Sequence, residues 1–222
     1  MERPEDIRSN RYLLALHERT ANWVRIIVIF HLIGLAGLYF SPTKPYFLQL
    51  VPYHLLLMAV ILIINHDRLN LKFLYFFVAI FIAGWLIEYF GVRTGQLFGD
   101  YSYGKTLGFS IKSIPVLMGI NWFILIYSAA VSMQLLRIRS MLFRIFFGAG
   151  LLVVLDFLIE PVAARLNYWH WVDNEVPLQN YLCWFIVSAV LLFVFEQFKF
   201  KKQSMVGPAI LICQFIFFAL LQ

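Results

Sequence analysis

Three carboxylates in apolar surroundings are the residues of this chain best suited to chemistry. Glu88, Asp156 and Glu160 each lie near the end of a long apolar segment. A carboxylate in the middle of a membrane helix costs about 2.5–3.5 kcal/mol on insertion scales. Such groups are therefore rare, and they generally mark a functional site.

The spacing of these carboxylates favours acid–base chemistry. Asp156 and Glu160 are four residues apart, so they share one face of a helix. Glu88 is expected at a depth similar to that of Asp156. Two carboxylates that lie close together in a low dielectric do not both ionise cheaply. One would stay protonated beside an anionic partner, which is the pairing that general acid–base catalysis needs. The structural alternative is an ion pair with Arg93 or Arg165, or a cap on a loop.

The composition indicates a membrane protein. The 222 residues are 62% hydrophobic and only 14% charged, whereas soluble domains carry about 25% charged residues. A membrane-spanning helix needs about 20 apolar residues. The sequence predicts an all-α, polytopic transmembrane bundle that forms one integral membrane domain over residues 1–222. Its seven segments are predicted at about 23–40, 46–64, 72–92, 114–135, 141–161, 180–198 and 206–221.

The distribution of Lys and Arg predicts the orientation. Thirteen of the 18 basic residues fall on one side of the predicted topology, Arg3, Arg8 and Arg11 among them. The positive-inside rule then places the N-terminus in the cytoplasm and the C-terminus outside, in the cell (inner) membrane. The basic excess is thus a topology signal with anionic lipid headgroups as its partner, and nucleic-acid binding is not expected.

Two long loops, 93–113 and 162–179, are predicted on the outer side, at the same face as the three carboxylates. Function-bearing loops tend to be long. Their aromatic residues either form an interfacial belt or line a pocket for an apolar polyene end, where ring faces stabilise a carbocation. The aromatic residues at this end are Tyr101, Tyr103, Trp122, Trp169, Trp171 and Trp184.

A faint internal repeat links the two halves. Glu88 is followed by an aromatic loop, Pro115 and Trp122, and Glu160 is followed by an aromatic loop, Pro177 and Trp184. The two hairpins run in the same direction, which is typical of a parallel repeat. Ordinary helix-start and interface chemistry is the alternative explanation.

No metal or cofactor motif is visible. The sequence has no His-x-x-x-His pair, cysteine cluster, phosphate-binding loop or dinucleotide fingerprint. His31 and His54 are predicted to be hydrogen-bonded helix residues, and Cys183 and Cys213 to be membrane-packed thiols. A diiron enzyme, a haem protein and an ATP-driven pump are all disfavoured.

Residues 72–190 resemble the bacterial and archaeal carotenoid biosynthesis protein family, whose characterised members are carotenoid 1,2-hydratases of the CruF type. The first half of the resemblance rests on Glu88–Gly91, Thr94-Gly95, the run FGDYSYG at 98–104, Leu107-Gly108, Pro115 and Trp122. The second half rests on Asp156, Glu160-Pro161, Trp169-His170-Trp171, Pro177, Asn180 and Trp184.

The resemblance implies addition of water to the terminal C1=C2 double bond of an acyclic carotenoid end, of the lycopene or gamma-carotene type, without a cofactor. An acid would protonate C2, a tertiary cation would form at C1, and a carboxylate would activate water. Asp156 is assigned as the acid, Glu88 as the base and Glu160 as a tuning group, although the order could be swapped. Residues predicted to bind substrate are Arg93, Tyr101, Tyr103, Trp122, Trp169, Trp171, Asn180 and Trp184. The implied partners are the carotenoid, membrane lipid and other enzymes of the pathway.

Two positions depart from the family pattern. Glu160 stands where Asp is more frequent in the family, which keeps the charge on a longer arm. Cys183 stands where Gly is more frequent, and its larger side chain reduces the space at a helix contact or beside a pocket wall. The preference for the end group could differ for this reason.

Two other functions remain open at this point. A small membrane lycopene cyclase would also protonate a polyene end, but an internal double bond would capture the cation. A proton-coupled transporter or sensor would use its acids to carry protons. No acid is evident near the membrane midplane, where a proton relay would need one.

Overall fold

A computed structural model describes residues 4–222 of the chain, with side chains from Glu18 onward. Within this range the chain forms seven α-helices, as the sequence predicted. They are α1 (Pro4–Tyr39), α2 (Lys44–Ile64), α3 (Leu71–Thr94), α4 (Leu117–Leu135), α5 (Met141–Arg165), α6 (Leu178–Gln197) and α7 (Val206–Leu220).

Six of these helices are long and apolar enough to cross a membrane, and α7 is a shorter apolar helix of 15 residues. The predicted all-α, polytopic bundle is thereby confirmed. Large apolar side chains cover the outside of the bundle, for example Ile29, Tyr53 and Phe157, which are 51%, 68% and 62% exposed. Such a surface is stable against lipid but not against water.

Helix α4 forms the centre of the bundle. It packs against α2, α3, α5, α6 and α7, and its buried residues occur on every side of the helix, from Trp122 to Met133. A helix that is apolar on all sides is expected in the interior rather than at a surface.

Four short strands lie outside the helices. β1 (Tyr101–Tyr103) pairs antiparallel with β4 (Trp169–Trp171), and β2 (Ser110–Ile111) pairs with β3 (Ile114–Pro115). The β1–β4 pair, which we call the aromatic ribbon, joins the two long loops at one end of the bundle. The side of the membrane on which this end lies stays a prediction. That prediction rests on the distribution of basic residues, of which Arg3 lies outside the described residues, and the side chains of Arg8 and Arg11 are not described either.

The helices that carry the carboxylates have defined ends. At the start of α3 the Asn70 side chain accepts a hydrogen bond from the Phe73 N–H, and Ser140 caps α5 in the same way. At the end of α3, Gly95 has a φ of 63° and its N–H bonds to the Gly91 carbonyl. A left-handed residue at this position favours glycine, and it turns the chain toward the ribbon.

At the end of the bundle opposite the ribbon, hydrogen bonds join His66, Tyr127 and Gln203. His66 Nδ1 lies 2.7 Å from the Tyr127 hydroxyl, which donates to Gln203 Oε1 at 3.2 Å. The Asp67 N–H also donates to Gln203 Oε1. Burial lowers the pKa of His66 to about 4, against a smaller opposing effect of Asp67. His66 is therefore neutral in the folded protein at pH 7.

This buried histidine predicts a loss of stability in mild acid. Between pH 6.5 and about 4, His66 is protonated in the unfolded chain but not in the folded one, so stability falls as the pH falls through this range. We expect a lower melting temperature in detergent at pH 5 than at pH 7, by about 2–4 °C per kcal/mol lost. Differential scanning fluorimetry measures it.

The melting temperature of His66→Gln should differ less between pH 7 and pH 5 than that of the wild type. His170→Gln, at an exposed ribbon histidine, should show the wild-type difference. An equal drop in wild type and His66→Gln would contradict the assignment.

Candidate active site

The aromatic ribbon has one aromatic face and one polar face. Side chains alternate along a strand. The first and third residues of β1 and of β4 therefore face the bundle, while the middle residues, Ser102 and His170, are exposed on the other face. The register pairs Tyr101 with Trp171, Ser102 with His170 and Tyr103 with Trp169. Four aromatic side chains, each with one polar donor, are thereby directed at the helix ends.

Glu88 is held by three of the donors at this end. The Tyr101 and Tyr103 hydroxyls both donate to Glu88 Oε2 at 2.6 Å, and Trp122 Nε1 donates to Oε1 at 2.8 Å. The side chain is buried, with 3% of its surface exposed. Hydrogen bonds to a charged group are worth about 1.5–3 kcal/mol each, so three of them offset much of the cost of burying a carboxylate.

Glu160 is held in a similar way. Trp169 Nε1 and Trp171 Nε1 donate to Glu160 Oε2 at 3.0 and 2.7 Å, and Asn180 Nδ2 lies 3.3 Å from Oε1. Each glutamate therefore receives two aromatic donors, at positions i and i+2, from the strand that follows its own helix. This correspondence supports the predicted internal repeat.

Asp156 lies one turn deeper in α5 and has fewer partners. It is fully buried, and Asn180 Nδ2 donates to its Oδ2 at 2.7 Å. Its other oxygen, Oδ1, has no hydrogen-bond partner among the described residues. Asn180 thus bridges Asp156 and Glu160, which share one face of α5 as their i,i+4 spacing predicted.

The two tyrosines of the ribbon remain hydrogen-bond donors at all ordinary pH values. Burial, and next the charge of Glu88, raise the pKa of Tyr101 and of Tyr103 well above the usual value near 10. Neither phenol therefore loses its proton to the carboxylate that it contacts.

Ion pairs do not account for the stabilisation of these buried carboxylates. In the part of the chain whose side chains are described, no Lys or Arg forms a salt bridge with any of the three. Arg165 is exposed, and Arg93 is exposed and lies over the Tyr89 ring. Uncharged donors hold the carboxylates instead, and Arg93 lies apart from the cluster in which it was predicted to bind substrate.

A cavity of about 20 Å³ lies between Glu88 and Glu160. A water molecule needs about 10–15 Å³ and two to four polar partners, so this cavity has room for one water among suitable partners. Its lining residues are Glu88, Phe98, Tyr101, Tyr103, Met118, Glu160, Trp169, Trp171, Asn180 and Trp184.

A second, apolar cavity of about 350 Å³ adjoins the first. Met118, Trp169 and Trp184 line both. The Trp184 ring stacks on Trp122, with ring centres 4.7 Å apart and an angle of 29° between the planes. Trp169 and Trp184, which line the apolar cavity, are thus also linked to the glutamates. Trp169 donates to Glu160, and Trp184 stacks on Trp122, which donates to Glu88.

The structure brings nearly all the predicted site residues together, with one difference in pairing. Glu88 and Asp156 were expected to form the close pair. Instead, Asp156 is joined to Glu160 through Asn180, and Glu160 lines the small cavity opposite Glu88. The reason is that Asp156 lies one helical turn below Glu160. Sequence reasoning missed Phe98 and Met118, and only the position of Phe98 in the FGDYSYG run would have indicated it.

The described residues contain no group of three or more His, Cys, Asp or Glu side chains that could hold a metal ion. Cys183 and Cys213 are free thiols.

Comparison with known proteins adds two findings. A family model described as "Carotenoid biosynthesis protein" matches residues 49–222. Bisanhydrobacterioruberin hydratase from Haloarcula japonica is 27% identical over 135 residues, which cover 58% of this chain and 46% of the relative. The match therefore spans about half the length of that hydratase. No solved structure matches the chain.

The bridging amide of Asn180 predicts a coupling that a double-mutant cycle can measure. Asn180→Leu would leave Asp156 without its donor, and we expect a loss of about 1–3 kcal/mol, the cost of an unsatisfied buried polar group. Asp156→Leu with Asn180→Leu should recover much of this loss, because no unpaired polar atom remains in that pair. Thermal unfolding of the single and double variants in detergent measures the coupling. Additive losses would contradict it, and Glu175→Leu at an exposed loop position is the control.

Proposed function

This chain belongs to the carotenoid biosynthesis protein family, and from that premise we propose that it is a carotenoid 1,2-hydratase, a hydro-lyase. The reaction adds water to the terminal C1=C2 double bond of an acyclic carotenoid end of the lycopene or gamma-carotene type. The product is a tertiary alcohol at C1. The hydratase named among its relatives supports this class of reaction.

The observation that carries the proposal is the small cavity between two carboxylates. It is large enough for one water and too small for any part of a polyene. Two glutamates and two phenols surround it, so a water there would be oriented and activated. The substrate's double bond would approach from the adjoining apolar cavity.

The hydrogen-bond pattern suggests which carboxylate is the base. Donors directed at a carboxylate favour its charged form, and Glu88 accepts three hydrogen bonds. Glu160 also accepts three, but it shares the Asn180 amide with Asp156 and so belongs to a carboxyl pair. We propose that Glu88 takes the proton from water. A carboxylate within hydrogen-bond reach of the water is the geometry that a general base needs.

The pair of Asp156 and Glu160 would supply the proton. Two adjacent carboxyl groups titrate as a unit, and one proton on this pair avoids two adjacent buried charges. Asp156, with a single donor and one unpartnered oxygen, is the member better suited to hold it. Glu160 lies between Asp156 and the small cavity and would pass the proton on. The opposite assignment, with Glu88 as the acid, uses the same residues in reversed roles.

The proposed step balances without a cofactor. The acid pair transfers a proton to C2, and the π electrons of the double bond form the new C–H bond. The cation at C1 is captured by the water oxygen, and Glu88 removes the extra proton. Return of that proton from Glu88 to the pair restores the starting state. The indole faces of Trp169 and Trp184, which border the apolar cavity, would stabilise the cation.

We also propose where the protein works. It would be a single multi-pass domain in the cell (inner) membrane, with the aromatic ribbon on the outer side and the N-terminus in the cytoplasm. The carotenoid, bilayer lipid and other enzymes of the pathway would be its partners.

Expression in bacteria that accumulate lycopene or gamma-carotene tests the function. We expect a product heavier by one water, detected by chromatography and mass spectrometry. Glu88→Gln and Asp156→Asn should lower its yield by at least a hundredfold at equal membrane expression, because each removes a proton-transfer group.

Glu175→Gln, at an exposed acid in the loop after the ribbon, should leave the yield unchanged. A new product of unchanged mass would contradict hydration and indicate cyclisation. Full activity in Glu88→Gln would contradict the assigned site.

A further inference from the structure

The apolar cavity is a chamber between four helices. Its walls come from α1, α2, α4 and α7, with the ends of α5 and α6 and the ribbon at one side. Residues that represent these walls are Gly34, His54, Met118, Gln214, Trp169 and Trp184. We call this cavity the chamber.

The chamber reaches the lipid-facing surface between α1 and α2. Four of its lining residues are also exposed on the outside of the bundle: Phe30 at 43%, Ile33 at 51%, Leu50 at 50% and Tyr53 at 68%. A ligand dissolved in the bilayer would therefore meet mainly apolar side chains at the entrance. It would never cross the aqueous phase.

The other side of the chamber borders the carboxylate cluster. Trp169 and Trp184 line it there, and Trp169 also donates its N–H to Glu160. Met118 completes this boundary, since it lines both cavities. A group bound against these three side chains would lie next to the small cavity that fits one water.

We infer that the chamber binds one end group of an acyclic polyene, which enters from the bilayer between α1 and α2. The inference rests on the proposed function and adds the binding site, the entry route and the residues that limit the size of the end group. The reacting double bond would lie against Met118, with the rest of the polyene extending between α1 and α2 into the lipid.

The size of the chamber fits an end group and not a whole carotenoid. Ligand pockets of about 300–1,000 Å³ enclose small, drug-sized molecules, and the chamber, at about 350 Å³, is at the lower limit. A long polyene would leave most of its length outside. The enzyme would then act on one end at a time.

Gly34 offers a way to fill the chamber without disturbing the helices. A Cβ at Gly34 would meet only Phe217, at an ordinary contact distance of 3.6 Å. A larger side chain would extend from there into the chamber. Gly150 in α5 is the matched control, because a Cβ there meets nothing within 4 Å.

The first test measures binding of lycopene to the purified protein in nanodiscs, through quenching of tryptophan fluorescence. Trp169 and Trp184 border the chamber, so a bound polyene should quench them. We expect Gly34→Leu to weaken lycopene binding at least tenfold and to lower the rate of hydration to a similar extent. Gly150→Leu should keep both the binding and the rate. Unchanged binding and turnover in Gly34→Leu would overturn the chamber and leave the hydratase proposal intact.

A second measurement covers the case in which Gly34→Leu does not fold. Gly34→Cys and Gly150→Cys in membranes are labelled with a thiol reagent, and unsubstituted protein gives the background from Cys183 and Cys213. Lycopene should slow labelling at 34 at least fivefold and leave that at 150 unchanged. Equal rates with and without lycopene would overturn the inference. Protection at 34 without any hydrated product would support the chamber and refute the hydratase.

Discussion

The burial of two glutamates with no counter-ion among the described side chains is the constraint on which this structure depends. Charged groups are costly to move from water into a low dielectric, and the usual solution is a paired cation. Here a two-stranded ribbon supplies neutral donors instead, with two phenols on Glu88 and two indoles on Glu160. A cation would neutralise the carboxylates. Neutral donors would leave their charge available for the proposed chemistry.

The rest of the fold follows from the need to bring this ribbon and the helix ends together. Helices α3 and α5 carry the glutamates, and the loops after them return as β1 and β4. Helix α4 lies at the centre and brings Trp122 to Glu88, while α6 brings Asn180 to Glu160 and Asp156. The two halves use the same plan, although Trp122 donates to a glutamate and Trp184 lines the cavities. This asymmetry leaves one side open toward the chamber.

The sequence predicted the helices well because lipid imposes a simple rule of length and hydropathy, which six of the apolar helices satisfy, and α7 is shorter but equally apolar. It also indicated the site, since carboxylates such as Glu88 are conspicuous in apolar segments. The ribbon was not predicted, although the alternation in Tyr101-Ser102-Tyr103 and Trp169-His170-Trp171 is typical of strands. Three residues are too few to specify a strand, and its partner lies far away in the sequence. The pairing of Asp156 with Glu160 rather than Glu88 depends on helix rotation, which hydropathy does not determine.

The most direct test of this account is isotopic. Purified protein in nanodiscs would convert lycopene in H₂¹⁸O and, separately, in D₂O, and the product would be analysed by mass spectrometry. We predict one ¹⁸O in the new hydroxyl and one non-exchangeable deuterium at C2, both lost in Glu88→Gln. Deuterium without ¹⁸O would show that the polyene is protonated but that water does not capture the cation. That result would contradict the central claim that the cavity between Glu88 and Glu160 holds the reacting water.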